Sequence, residues 1–297
     1  MFVTEKQIEI SNPTKTLFPE DGYNKQDIIQ YYQRIFDHME VFIRNRLLMV
    51  QRFPDGINAG GFYQKEVPEY YPEWIERVTV KKKQGGEITQ VVCNSLETAV
   101  YLANQACITF HTWLSRAEKT DFPDKIILDL DPPEGTFHRI RQTLPYLRDF
   151  FERSGLTVYL MTTGSKGIHA VIPVKPVHNF RKVKQRTDRL ANDIEKECGD
   201  HFTTHQLKDK REGKIYLDVQ RNSYAQTSVV PYSLRPAKGA PVAVPVTWDE
   251  AMKKGFSSKK YNIGNIFRRL GQIADPWENY FKTGVSESNS SLLFDPD

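Results

Sequence analysis

The sequence predicts an α/β protein, on three observations. Amphipathic helical runs alternate along the chain with short apolar runs of strand length. Two of those apolar runs, TVYLMTT and IHAVIPV, stand on either side of a tight turn, Thr163-Gly164-Ser165-Lys166-Gly167. Another, Lys125-Ile126-Ile127-Leu128-Asp129-Leu130-Asp131, is closed by a Pro pair and reads as a buried strand that ends in two carboxylates. With 297 residues and 39% hydrophobic side chains the chain can bury a sizeable core, and its length allows one large or two small domains.

The elements follow in order. Ile28, Tyr32, Ile35, Phe36 and Met39 recur at helical spacing from Asp27 to Met39, so a first helix begins just after Lys25. Strand-like runs come next at LLMVQRF, GGFYQK and ITQVVC. A second helix takes Asn94 as its N-cap, with Glu97 three residues on and Leu96, Val100, Ala103 and Cys107 on one face, and leads into ITFHTW, which carries His111. Thr136 to Arg153 reads as a helix bent near Pro145 and stopped by Gly155. Phe180, Val183, Thr187, Leu190, Ala191 and Ile194 trace the apolar face of a further helix, whose other face is basic. KIYLDVQ is a strand with Tyr216 and Asp218 on one face and Ile215, Leu217 and Val219 on the other. The Ser-rich end, SESNSSLLFDPD, lacks periodicity and reads as a flexible tail or linker remnant. The expected division is one composite domain over 1–284 and a tail over 285–297, because the candidate chemical groups scatter from Lys15 to Arg235.

Composition narrows the class. No apolar signal region follows Met1, and no apolar run approaches the ~20 residues of a membrane span, so a cytoplasmic location without membrane contact is expected. Cys93, Cys107 and Cys198 are far apart and include no C-x-x-C pair, which argues against a disulfide framework or a structural zinc site. A net charge of +4 is modest. Its distribution is not: Lys81-Lys82-Lys83 form one basic run, Arg181, Lys182, Lys184, Arg186 and Arg189 another, and Lys208, Lys210, Arg211, Lys214 and Arg221 a third.

Because strand side chains alternate, Asp129 and Asp131 share a face. Two carboxylates so close raise each other's pKa unless a cation lies between them, and a divalent metal is the simplest resolution. The D-x-D pattern alone also serves sugar-nucleotide transferases. Asp218 adds a third acid inside an apolar segment, where an unpaired charge is costly. Three such acids suit two divalent ions about 3.5 to 4 Å apart, the arrangement of phosphoryl and nucleotidyl transfer.

The turn T-G-S-K-G-I-H lacks P-loop spacing, yet its physics is similar. Gly164 and Gly167 let the backbone approach a ligand, Thr163 and Ser165 offer hydroxyls, Lys166 is a point charge, and His169 follows on the strand. That set suits a triphosphate. A plain hairpin leaves His169 unexplained in its apolar strand, although a satisfied core imidazole fits His169 and His111 equally. Arg221, three residues after Asp218, and Arg235, in P-Y-S-L-R, are guanidinium groups of the kind that clamp phosphates beside a metal site.

D-L-D-P, G-S-K-G-I-H and L-D-V-Q-R-N, in this order and followed by P-Y-S-L-R, together resemble the polymerase domain of bacterial DNA ligase D. That domain belongs to the archaeo-eukaryotic primase superfamily and acts in nonhomologous end joining. The likeness runs from N-P-T-K-T-L-F-P at Asn12 to the D-P-W near the C-terminus. It implies a mixed, largely antiparallel catalytic sheet packed by helices. It also implies that Asp129, Asp131 and Asp218 bind two divalent ions, Mn2+ or Mg2+, and that Thr163, Ser165, Lys166, His169, Arg221 and Arg235 bind the nucleotide. His111 matches an active-site histidine. Asn12, Lys15 and Lys25 match a pocket for a DNA 5′-phosphate, where the helix start would add backbone N–H donors. Phe62 and Tyr63 match an aromatic pair that stacks on template bases. The family's second motif usually opens with Ser where this chain has Thr163, so the hydroxyl is retained.

The implied activity is addition of nucleotides, preferably ribonucleotides, from NTP or dNTP substrates to 3′ ends at gaps and double-strand breaks. Double-stranded ends and gapped DNA with a 5′-phosphate are the implied substrates, with Ku and a DNA ligase as partner proteins. No ligase signature or nuclease segment accompanies the motifs, so a stand-alone polymerase and one excised from a longer chain both fit. A replication-type primase of the same superfamily is the nearest alternative. A sugar-nucleotide transferase leaves Lys15, Lys25 and Asp218 unexplained, and a non-catalytic end-binding scaffold leaves the three acids unexplained.

Overall fold

The computed structural model describes residues 2–3, 6–285, 289 and 293–294. Two short antiparallel pairs come first, β1 (Phe2–Val3) with β2 (Ile8–Glu9) and β3 (Thr16–Phe18) with β4 (Tyr23–Asn24). Asn24 and Asp27 exchange side-chain and backbone hydrogen bonds in a capping box that starts α1 (Lys25–Ile43). The five apolar residues of the predicted face are all buried, and the helix extends a turn beyond Met39.

Next come β5 (Leu48–Arg52), β6 (Phe62–Gln64), the β7 (Arg77–Lys81) and β8 (Glu87–Val91) hairpin, α2 (Leu96–Asn104) and β9 (Cys107–Trp113). The N-cap of α2 is Ser95, which accepts the Thr98 amide at 3.2 Å, rather than the expected Asn94. Asn94 is held elsewhere: it accepts the Asn45 amide at 2.7 Å and donates to Asn45 and Glu76 side chains. Tertiary contacts thus settle which of two adjacent cap-forming residues caps the helix.

The second half contributes β10 (Lys125–Asp131), α3 (Phe137–Arg153), β11 (Tyr159–Thr162), β12 (Ile168–Pro173), α4 (Phe180–Cys198), β13 (Phe202–Thr203), β14 (Ile215–Asp218), β15 (Thr227–Val229) and β16 (Pro245–Val246). Three short helices follow, α5 (Trp248–Met252), α6 (Ile266–Leu270) and α7 (Tyr280–Val285). α3 runs as one helix through Pro145. The six-stranded sheet has the order β13-β14-β10-β12-β11-β16, and only the β13–β14 pair in it is parallel. A four-stranded antiparallel sheet, β15-β9-β5-β6, lies beside it. The mixed, largely antiparallel architecture that the resemblance implies is the one observed.

Period-two alternation in β10 explains why its two carboxylates share a face. Ile126, Leu128 and Leu130 enter a core with α3 and α4, whereas Ile127 enters the core shared with α1, α2 and the smaller sheet. Asp129 and Asp131 continue the Ile127 face past the point where that core stops covering it. Just before the strand, Asp124 takes both guanidinium N–H groups of the buried Arg46, at 2.8 and 2.6 Å, and ties β10 to the end of α1.

Of the expected tail, the Asn289 side chain bonds the Thr157 backbone and the Pro173 carbonyl, and Leu293 and Phe294 pack on the α3–α4 core. Residues 286–288, 290–292 and 295–297 lie outside the described residues. All three cysteines are free thiols. No helix among the described residues is long and apolar enough to cross a membrane.

Candidate active site

Asp129 stands at the centre of the six-stranded sheet with Asp218 of β14 opposite it on one side and His169 of β12 on the other. Its Oδ2 accepts from Arg221 Nε at 2.9 Å and lies 3.4 Å from His169 Nε2. Ser228 Oγ is 3.4 Å from the other ring nitrogen of His169, so this histidine is oriented from both ends. The second oxygen of Asp129, Oδ1, is buried and has no partner. Asp218 Oδ1 accepts the Gln220 amide at 2.8 Å, which turns the chain after β14 so that Arg221 points back at Asp129.

The two carboxylates on β10 are pushed in opposite directions. Burial raises the Asp129 carboxyl, but His169 and Arg221 outweigh it and hold the group down to about 2. Burial raises Asp131 as well, and the charges of Asp129 and Asp218 add to it, bringing Asp131 up to about 6. Burial, then the nearby Arg235 and Arg221 charges, depress His111 well below the usual imidazole range, so it is neutral at pH 7.

The Thr163–Gly167 turn folds onto the end of β10. Thr163 Oγ1 receives the Ser165 and Gly167 amides at 3.2 and 3.3 Å and donates to the Gly167 carbonyl at 3.1 Å. Its hydroxyl therefore shapes the turn. A Cβ on Gly167 would stand 2.2 Å from the Leu130 carbonyl oxygen, and one on Gly164, at φ +64°, would stand 2.7 Å from Arg235 Cγ. Both glycines are required by close approach. Lys166 reaches out from the turn, 63% exposed, with only a distant partner in Glu134 at 3.8 Å.

These parts enclose one cleft of about 440 Å3. His111, Asp129, Asp131, Thr163, Ser165, Lys166, His169, Arg221 and Arg235 all line it, together with Tyr63. Asp218 is at its margin through the pairing with Asp129. The orphaned Asp129 Oδ1 is joined there by two further buried, unpartnered nitrogens, Arg235 Nε and His111 Nδ1. Lys65 also lines the cleft and was not singled out from the sequence. Its only signal is its place at the end of GGFYQK, directly after Phe62, Tyr63 and Gln64. Met49, Thr227 and Val229 supply wall from β5 and β15, and nothing local in the sequence marks them.

Phe62, Asn12, Lys15 and Lys25 lie outside that lining, and Tyr63 reaches it from the edge. Phe62 and Tyr63, on the edge strand β6, are 49% and 57% exposed; Tyr63 stands 6.0 Å from the His111 ring, and Arg52 lies 5.6 Å from the Phe62 ring. Lys15 pairs with Asp55 at 2.7 Å, and buried Lys25 donates to the Ser11 carbonyl at 2.7 Å. Burial, followed by the charges of Lys15 and Arg52, lowers the Lys25 pKa. The expected backbone donors are not free. The Lys25, Gln26 and Asp27 amides already serve Lys15, Pro13 and Asn24, so an anion at this corner meets ammonium groups rather than the helix start.

The sequence model of the LigD primase-polymerase domain matches residues 24–277. The chain belongs to that family. It is 32% identical over 273 residues to the multifunctional non-homologous end joining protein LigD of Mycolicibacterium smegmatis, covering 91% of this chain and 35% of that one. It is 27% identical over 289 residues to the bifunctional non-homologous end joining protein LigD of Bacillus subtilis, covering 97% and 46%. The chain thus spans less than half the length of these relatives. Among solved structures it superposes on the polymerase domain of Mycobacterium tuberculosis ligase D, in complex with DNA, with a TM-score of 0.85 and 27% identity over 93% of this chain and 98% of that one. As a LigD primase-polymerase domain, it is an enzyme of the primase-like nucleotidyltransferase class.

The carboxylates of this LigD domain fit a hard divalent cation. The donor set is all oxygen, one buried oxygen of Asp129 lacks a partner, and Asp131 is raised by burial and then by the charges of Asp129 and Asp218, which a cation would neutralise. One adjustment is needed. Among the described residues no three ligand-type side chains are already gathered into a cage, and Arg221 holds the other Asp129 oxygen.

Proposed function

We propose that this domain extends 3′ ends at gaps and double-strand breaks during nonhomologous end joining, by two-metal nucleotidyl transfer. The observation that carries the reading is the cleft's division into an acidic floor, Asp129 and Asp131 with Asp218 at its margin, and a cationic wall, Lys166, Arg221 and Arg235. That division matches the two halves of the reaction. Two divalent ions, Mn2+ or Mg2+ held by the three acids, would supply charge neutralisation for the triphosphate and activation of the primer hydroxyl.

The chain's own groups do the rest. Arg221, Arg235 and Lys166 bind the triphosphate oxygens and steady the charge that collects on the departing pyrophosphate. Thr163 keeps the turn folded so that Ser165 and Lys166 face the cleft. His169, braced by Ser228, fixes the orientation of Asp129. Neutral His111 stands between Tyr63 and the arginines, where its unpartnered Nδ1 meets the nucleotide. Lys15, Lys25 and Asn12 hold a downstream 5′-phosphate, and Phe62 and Tyr63 give template bases an aromatic surface. Ku and a DNA ligase are the partner proteins this role requires.

The family reading favours ribonucleotides, which demands a protein group that pairs with the 2′-hydroxyl and is left unsatisfied by a deoxynucleotide. Such a loss costs about 1–3 kcal/mol, roughly tenfold or more in discrimination. Single-nucleotide insertion into a gapped duplex with Mn2+, compared as kcat/KM for matched ribo- and deoxyribonucleotides, tests this. A ratio above about ten in favour of the ribonucleotide is expected. Equal values remove the sugar preference, and no insertion of either removes the polymerase reading.

A further inference from the structure

The turn from Thr163 to Gly167 is braced from outside the cleft. Ser258, between α5 and α6, is 5% exposed, and its Oγ donates to the Ser165 carbonyl at 2.6 Å. Ser258 does not line the cleft, whereas Ser165, Lys166 and Gly167 do. Among the described residues this is the one hydrogen bond that joins the apex of the turn, Gly164 to Lys166, to another part of the chain. The segment that carries Ser258 also supports Arg235. The Tyr261 carbonyl accepts the Val242 amide at 2.9 Å, and Val242 bridges to Leu234, the residue before Arg235. Val242 and Arg235 in turn crowd Gly164, where a Cβ would meet Arg235 Cγ at 2.7 Å and the Val242 carbonyl carbon at 3.0 Å. Two cleft-lining pieces that are distant in sequence, the turn and Arg235, therefore share one support.

The bond decides where the groups at the apex point. Thr163 Oγ1 takes the amides of Ser165 and Gly167, but the Lys166 amide has no partner among the described residues. The Ser165–Lys166 peptide is trans, so its N–H points opposite to its C=O. With the carbonyl directed at Ser258, away from the cleft, the Lys166 N–H faces the side that the cleft occupies. A backbone N–H held in a glycine-flanked turn is a donor for an anion, and it serves best when its orientation is fixed beforehand. A carbonyl released from Ser258 turns to other partners and takes the Lys166 amide with it, because the peptide is one rigid plane.

We propose that Ser258 is a positioning residue for the incoming nucleotide, which acts through the Ser165–Lys166 peptide to aim the Lys166 amide at the triphosphate. This rests on the polymerase reading of the cleft. The test is single-nucleotide insertion into a gapped duplex by wild type, Ser258→Ala and Ser258→Thr, with duplex affinity measured on the same preparations and thermal melts to verify folding. Ser258→Ala raises the nucleotide KM about tenfold or more, the effect of one hydrogen bond to a charged group, and leaves kcat and duplex affinity level. Ser258→Thr keeps the hydroxyl and the wild-type KM. A second readout is the amide resonance of Lys166, titrated with inorganic triphosphate and Mg2+. It shifts in wild type and stays in place in Ser258→Ala. An unchanged nucleotide KM in Ser258→Ala overturns the role, and so does a rise matched by an equal loss of duplex affinity, which marks a general support. Absence of insertion by wild type overturns the polymerase reading, and the role with it.

Discussion

Asp129 on β10 and Asp218 on β14 are direct cross-strand partners, and a guanidinium from the turn after β14, Arg221, closes back on Asp129. Like charges opposite each other weaken a strand pair. Arg221 offsets the repulsion within the protein itself, and on the proposed reading the catalytic cleft is built on this pair.

On the proposed reading Arg221 has two competing claims on it, the carboxylate it bonds and the nucleotide. Replacing it, as Arg221→Gln, removes a charge-assisted bond of about 1.5–3 kcal/mol, so the nucleotide KM rises roughly tenfold to a hundredfold. Mn2+ binding without nucleotide, followed by electron paramagnetic resonance, becomes tighter in the same variant because the guanidinium no longer competes for Asp129 Oδ2. An unchanged nucleotide KM removes Arg221 from the triphosphate site.

Lys15, Lys25 and Arg52 gather positive charge at the start of α1, where burial first and then the two neighbouring charges lower the Lys25 pKa. On the proposed reading a 5′-phosphate offsets that charge. Removing the 5′-phosphate from the downstream strand of a gapped duplex weakens wild-type binding about tenfold or more, measured by fluorescence anisotropy. The Lys15→Ala, Lys25→Ala double variant binds both duplexes alike. Undiminished discrimination in that variant places the phosphate elsewhere.

The Arg46–Asp124 pair is a stability element. Asp124→Asn leaves a buried guanidinium with a weakened partner and costs about 3–5 kcal/mol, read from urea unfolding. Burial raises the Asp124 carboxyl, but Arg46, Lys125 and Arg116 outweigh it, so its folded pKa lies below the unfolded one. The sign follows: the stabilisation is complete above the unfolded value near about 4 and disappears as pH falls through the lower folded value. Wild-type stability accordingly drops below about pH 4 by more than that of Asp124→Asn.

Much of the site was legible because its logic is local. Period-two alternation put Asp129 and Asp131 on one face, and two glycines around Ser165 and Lys166 marked a turn that something must approach closely. Motif order supplied the family. What the sequence left hidden depends on register between distant segments. Nothing near Asp218 says that it will stand opposite Asp129, and nothing near Asp124 says that Arg46 will take both its oxygens. Lys65 reaches the cleft only because β6 pairs with β5. The start of α1 looked like an anion-binding helix end, but the loop before it, from Pro13 to Asn24, consumes the amides that such a site needs.

The central claim is that Asp129, Asp131 and Asp218 hold the catalytic metals of a nucleotidyl transfer. It is tested most directly by measuring, on the same preparations, single-nucleotide extension with Mn2+ and affinity for a gapped, 5′-phosphorylated duplex. Each of Asp129→Ala, Asp131→Ala and Asp218→Ala should bind the duplex as wild type does and show no extension. Substantial extension by any one of them would contradict the assignment of that residue, and by all three the account of the site.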